Sequence, residues 1–192
     1  MTAPHAFPAC HTPLHSLADV TEGRRPEVML KQSVIDSMIP PLRDLYALWQ
    51  ALGWDQGLPL VADVLRVDLA RWRPNAVIIE RRDGTYWYRW YGPALRAAFK
   101  TDLTGLALDS IPESTLPAGQ RQLIEYEFAT ATERRSPVWR SYKAQFGGED
   151  QVWQRLVLPA APAEGEPVSL ILIVAAKVET PPVTVKRIPT FS

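Results

Sequence analysis

The stretch AVIIERR-DG-TYWYRWY, at 76–91, constrains the fold more than any other part of the chain. Ala76 to Arg82 is rich in β-branched residues and Thr85 to Tyr91 is densely aromatic, both compositions that suit a pleated, half-buried surface. Between them stands Asp83-Gly84, a pair that tolerates the positive φ angles of a two-residue hairpin turn. The two segments are therefore expected to pair antiparallel, and Gly92-Pro93 ends the second strand. Alternation along that strand sends Tyr86, Tyr88 and Trp90 to one face and Trp87, Arg89 and Tyr91 to the other.

Helical spacing precedes the hairpin. Val28, Leu30, Val34, Ile35 and Met38 suggest a short helix before Pro40-Pro41. Leu42, Leu45, Tyr46, Trp49 and Leu52 then recur at i, i+3, i+4, i+7 and i+10, which predicts an amphipathic helix opened by Pro41 and closed by Gly53. A further helix is expected over 61–72, ending before Arg73-Pro74 because the residue preceding proline disfavours helical angles. Beyond the hairpin, a short helix is predicted over 94–99 and a loop at Asp102-Leu103-Thr104-Gly105. A long helix follows, from Pro117 to about Arg134. Strands are predicted at 138–146, 152–160 and 167–178, joined by hairpin loops at Gly147-Gly148-Glu149-Asp150 and Ala163-Glu164-Gly165-Glu166.

The order is thus two strands, helices, then three strands, in a chain of 192 residues that suits one domain with tails. Residues 1–26 hold four prolines, all three histidines and few large apolar groups, and read as a flexible tail; 27–41 form a short helix and linker, and 180–192 a C-terminal tail. The longest apolar run, at 168–176, is too short to span a bilayer as a helix, which takes roughly 20 residues. No export signal is recognisable at the N-terminus, so the cytoplasm is the expected compartment. Lys plus Arg and Asp plus Glu each number 21, and that balance lacks the positive field of a nucleic-acid binder.

Chemistry is sparse. His5, His11, His15 and the single cysteine, Cys10, all lie in the N-terminal tail, so a Ser-His-Asp or Cys-His site within the domain is excluded. The same absence argues against a haem on a domain histidine or a covalently anchored flavin, and no cofactor is expected. The tail donors fit no closed metal site, and no metal is expected. Asp102 reads as a turn or cap residue rather than an acid catalyst.

Several segments resemble a family of small stand-alone bacterial PAS-domain proteins with helices ahead of the first strand. The resemblance is carried by 45–53, Leu58-Pro59 and 68–78, then by Tyr88-Arg89-Trp90-Tyr91-Gly92 and Leu103-Thr104-Gly105. Tyr126, Arg135-Ser136-Pro137-Val138 and the run Trp153-Gln154-Arg155-Leu156-Val157-Leu158-Pro159 extend it over 42–179. Pro93 departs from the family, which more often has a small polar residue there. The resemblance implies an α+β fold, a PAS-like five-stranded antiparallel sheet with helices on one face, preceded by N-terminal helices. It also implies a sensory or regulatory module in signal transduction, not an enzyme, that binds a small molecule or a protein partner. The alternative is a ligand-free adaptor that uses the same fold for association.

A ligand cavity is expected between the sheet and the helices around Phe99 and Tyr126, with Trp87, Arg89, Trp139 and Arg155 as sheet residues that could reach it. An arginine among aromatics could grip a carboxylate or phosphate, or pair internally with Glu125 or Glu127; the internal pairing is favoured. The large aromatics on both sheet faces require cover, from the N-terminal helix or from a second subunit. A homodimer is expected through the stripe Leu42, Leu45, Tyr46, Trp49 and Leu52.

Overall fold

The computed structural model describes residues 30–53, 57–146 and 149–179. The expected tails, with His5, Cys10, His11 and His15, lie outside the described residues, as do Gly147 and Gly148 of one hairpin loop.

Among the described residues, five α-helices and five strands follow in the order α1 (Gln32–Asp36), α2 (Pro40–Leu52), α3 (Val61–Arg66), β1 (Ala76–Arg82), β2 (Thr85–Tyr91), α4 (Pro93–Phe99), α5 (Ala118–Glu133), β3 (Val138–Phe146), β4 (Glu149–Ala160) and β5 (Leu170–Lys177). The strands form one antiparallel sheet in the spatial order β2-β1-β5-β4-β3. The α+β class and the five-stranded antiparallel sheet are as expected. Asp83 and Gly84 have φ of 49° and 80°, the left-handed pair that the β1–β2 turn requires. Pro93 occupies the first turn of α4, where its missing N–H costs nothing.

Several local expectations need correction. Glu149 and Asp150, expected in the hairpin loop, begin β4, and the strand expected over 167–178 runs from Leu170 to Lys177. The helix expected over 61–72 stops at Arg66, and Val67 is extended with ψ 146°. Asp68 explains the stop: its carboxylate accepts the Ala70 backbone N–H at 2.8 Å, a local turn that competes with continued helix. The alternation along β2 is also broken. Ile78 opposes Trp90 but Ile79 opposes Tyr88, so Arg89 is the extra residue of a bulge. Tyr91 therefore joins Tyr88 and Tyr86 on one face, with the Tyr88 and Tyr91 rings 6.0 Å apart. Trp90 joins Trp87 on the other, where the Arg73 guanidinium lies 4.7 Å over its ring.

The face bearing Tyr86 and Tyr88 is covered by α4 and α5. Phe128 of α5 meets Tyr86 edge-on at 5.1 Å, and the Tyr86 hydroxyl bonds Thr132 Oγ1 at 3.0 Å. Pairing carries the same face across the sheet through Val77, Ile79, Ile171, Ile173, Val157 and Val138.

The opposite face is covered by α2 of the same chain. Leu42, Leu45, Tyr46 and Trp49 are all buried, and Leu52 is half-buried against the same core. Two polar clamps set the helix in place. Trp49 Nε1 donates to the Pro159 carbonyl on β4 at 2.9 Å. The buried Gln154 side chain accepts the Ile39 N–H at 2.8 Å and donates to the Ser37 carbonyl at 2.9 Å, which ties the α1–α2 junction to β4. The stripe expected to meet a second copy is thus spent within the chain's own core: four of its five side chains offer no surface. Helices cover both faces of the sheet rather than one.

Candidate functional site

Among the described residues, side-chain charge is buried at one place, between the sheet and α5. The buried side of α5 runs through Ile124, Phe128, Ala131 and Thr132, and Glu127 falls within that same stripe at full burial. Beneath it, Arg140 of β3 and Arg155 of β4 are directly opposed in register, on the same face as Val138, Val157, Tyr142 and Trp153. Glu127 Oε1 lies 2.7 Å from Arg140 Nε and Oε2 lies 3.3 Å from Arg155 Nε. The internal pairing with Glu127 expected for an arginine on this sheet is present for Arg155.

The distances are those of ion pairs, but the angles are poor. Both carboxylate oxygens and both Nε–H groups are buried without a hydrogen bond that meets normal geometry. Proximity supplies the electrostatic attraction, and the misalignment leaves the cluster short of a closed, satisfied network. Aromatic rings complete the surroundings. Arg140 stacks on Tyr142 at 4.6 Å, and Arg155 lies 5.7 Å from the Phe128 ring centroid.

Burial pushes the Tyr88 hydroxyl up to about 12, helped by the Glu127 charge and opposed by Arg155. Tyr91 is also raised, chiefly by burial and then by Tyr88. Both phenols are neutral donors at physiological pH. For Arg155 burial alone favours loss of the proton, but Glu127 and the phenols Tyr142, Tyr88 and Tyr91 outweigh it, and the net direction is upward. Two guanidinium groups thus share one carboxylate, and the ion pairs place no second carboxylate on either arginine among the described residues. The cluster carries a net charge of one positive unit. Chemically it can hold and orient an anion.

The sequence-predicted site residues are only partly brought together. Arg155 is in the cluster. Phe99 of α4 is 38% exposed and leans over Trp153 with ring centroids 6.4 Å apart, next to the arginine pair. Tyr126 of α5 is exposed. Trp87 and Trp139 belong to the opposite face, paired in register with Glu80 and Leu156, and Arg89 is exposed at the bulge. These three do not reach the expected cavity, because β2 and β3 turn the relevant positions outward. Sequence reasoning missed Arg140, although its place between Val138 and Tyr142 at a spacing of two put it on the inward face.

Elsewhere, a cavity of about 10 Å³ lies between α2, α3 and the sheet, lined by Leu45, Trp49, Val64 and Leu172 among others, room for one water at most. A shallow open depression beside the β1–β2 turn is bordered by Arg81, Asp83 and Ser169. Among the described residues no group of His, Cys, Asp or Glu could hold a metal, and no helix is long and apolar enough to cross a membrane.

Asp102 is a turn residue, as expected. It accepts the Thr104 N–H at 3.0 Å and Arg96 Nη1 at 2.8 Å. Hydrogen bonds from Thr104, then Arg96, bring its carboxyl down to about 2 from the ordinary 3.8. A depressed folded-state value means that the stabilisation is present above pH 3.8 and is lost as pH falls toward about 2. An NMR titration of the Asp102 carboxyl should accordingly give a midpoint near 2, and Asp102→Asn should flatten the acid limb of stability over that window. A midpoint near the ordinary value would show that the loop bonds do not persist in solution.

Compared with known proteins, the chain matches no family model, no curated protein and no solved structure.

Proposed function

We propose that this chain is a sensory or regulatory binding module of the PAS type, which recognises a small molecule or protein partner and signals through changed contacts rather than by catalysis. The order of two strands, helices and three strands in one antiparallel sheet supports the family reading. The observation that carries the functional one is the Glu127–Arg140–Arg155 cluster. Unbalanced charge with unmet hydrogen-bonding capacity in a protein interior is costly, and it concentrates where a ligand or a chemical step uses it. Arginines hold charge without exchanging protons, which favours recognition over acid–base work.

Native mass spectrometry of the purified protein, together with its absorption spectrum, tests this reading. A retained ligand appears as added mass, which Arg155→Gln should remove, and a chromophore as visible absorption. Protein that carries no added mass and binds nothing from a metabolite mixture would leave the second reading, a ligand-free association module. The close packing between α2, α3 and the sheet favours that second reading.

A further inference from the structure

The arginine cluster continues into a group of aromatic rings, of which Phe99 is exposed, Tyr142 half-buried and Trp153 buried. Two residues along from the opposed pair Arg140 and Arg155, on the same sheet face, stand the opposed pair Tyr142 and Trp153. That is a step of roughly 7 Å along the strands. Phe99 of α4 leans over Trp153 and is the exposed outer member. The Arg140 and Arg155 side chains keep 14% and 13% of their surface accessible, whereas Glu127 keeps 1%. Glu127 therefore occupies the inner, Nε side of both guanidiniums from beneath α5, and the accessible remainder belongs to the arginines.

We propose that Arg140 and Arg155 bind the carboxylate of a small aromatic carboxylic acid, whose ring lies against the accessible edges of Phe99 and Tyr142 above the buried Trp153; this rests on the reading of the chain as a small-molecule module. Carboxylate is the anion favoured because the site already accommodates one, from Glu127, within ion-pair distance of both arginines. One added monoanion brings the cluster from a net charge of plus one to zero. The planar fork of each guanidinium suits a carboxylate in bidentate fashion. These aromatic edges give the body of the acid an apolar place to lie. Glu127 opposes the incoming charge, so it limits affinity, and it remains bound to the arginines when the ligand is absent.

Calorimetric titration of the full chain with benzoate tests this, with benzamide as the neutral isostere and phenyl phosphate as the alternative anion. Benzoate should bind saturably at one site and quench tryptophan emission, and benzamide should bind about tenfold more weakly or worse because it lacks the charge-assisted hydrogen bonds. Arg140→Gln and Arg155→Gln should each weaken benzoate by a similar factor, whereas Glu127→Gln should tighten it. Should Arg155→Gln fail to fold by circular dichroism, Arg155→Lys keeps the charge but loses the fork and should still weaken benzoate. Absence of saturable benzoate binding, equal binding of benzoate and benzamide, or weaker binding by a folded Glu127→Gln would each overturn the proposal. Tighter binding of phenyl phosphate than of benzoate would reassign the site to phosphate. A protein that retains a non-acidic molecule in native mass spectrometry, and ignores benzoate, would keep the sensory reading and end this inference alone.

Discussion

Glu127→Ala should lower the stability of the protein by about 3–5 kcal/mol, the cost of leaving buried charge without its partner. Glu127 is fully buried, and the two arginines it faces are each about seven-eighths covered, with side-chain exposures of 14% and 13%. Its removal leaves two guanidiniums under α5 with no carboxylate. The small accessible part of each arginine recovers only part of its hydration, so the penalty is desolvation without full Coulombic compensation. In urea the midpoint should fall at unchanged slope, and thermal unfolding should shift down by on the order of 10 °C for a domain of this size. Replacing all three charges by Glu127→Leu, Arg140→Met and Arg155→Met should restore most of the loss, because apolar side chains of similar volume remove the desolvation cost together with the pair. If Glu127→Ala stays within about 1 kcal/mol of the parent, the cluster is solvated and both the electrostatic argument and the binding proposal built on it fail. Binding and stability are expected to move in opposite directions at this residue, since the same carboxylate neutralises the arginines and competes with an anion for them.

Trp49→Ala should cost about 3–5 kcal/mol through loss of the buried ring, and about 1 kcal/mol more for the hydrogen bond to Pro159. The indole is 4% exposed, stacks on Tyr46 with centroids 6.0 Å apart, and fixes α2 against β4 through its Nε1–H. Trp49→Phe keeps most of the apolar contact and should lose much less, so the pair of variants separates packing from the hydrogen bond. A charged residue here is expected to unfold the domain rather than release a folded monomer, because the site is core and not interface. Chemical denaturation read by circular dichroism decides it. Wild-type-like stability of Trp49→Ala would mean that α2 does not cover the sheet in solution.

The amphipathic stripe of α2 was plain in the sequence, but the surface it would cover was not. Spacing at i, i+3, i+4 and i+7 states that a helix has an apolar side and leaves open whether its own sheet or another copy receives it. Gln154 and Pro159 resolve this in favour of the chain's own β4, through bonds to Ile39, Ser37 and Trp49. Arg155 could be singled out from its aromatic neighbourhood. Arg140 could have been, had the alternation through Val138 and Tyr142 been followed to its charged member. The placement of Trp87, Arg89 and Trp139 in a cavity failed for a different reason: which face of a strand points at a helix depends on pairing, and pairing puts Trp87 and Trp139 on the face away from α5 while Arg89 is the unpaired residue of the bulge.

Consecutive residues determined the local elements. The Asp83-Gly84 turn, both flanking strands, the proline starts of α2 and α4 and the start of α5 after Pro117 follow from backbone preference and short-range periodicity, which act within a few residues and can be read along the chain. Tertiary structure alone decided the bulge at Arg89, the docking of α2 on its own sheet, and the meeting of Glu127 with Arg140 and Arg155. Each depends on register between segments far apart in sequence, where a shift of one residue moves every side chain to the other face, and local preference carries no information about that register.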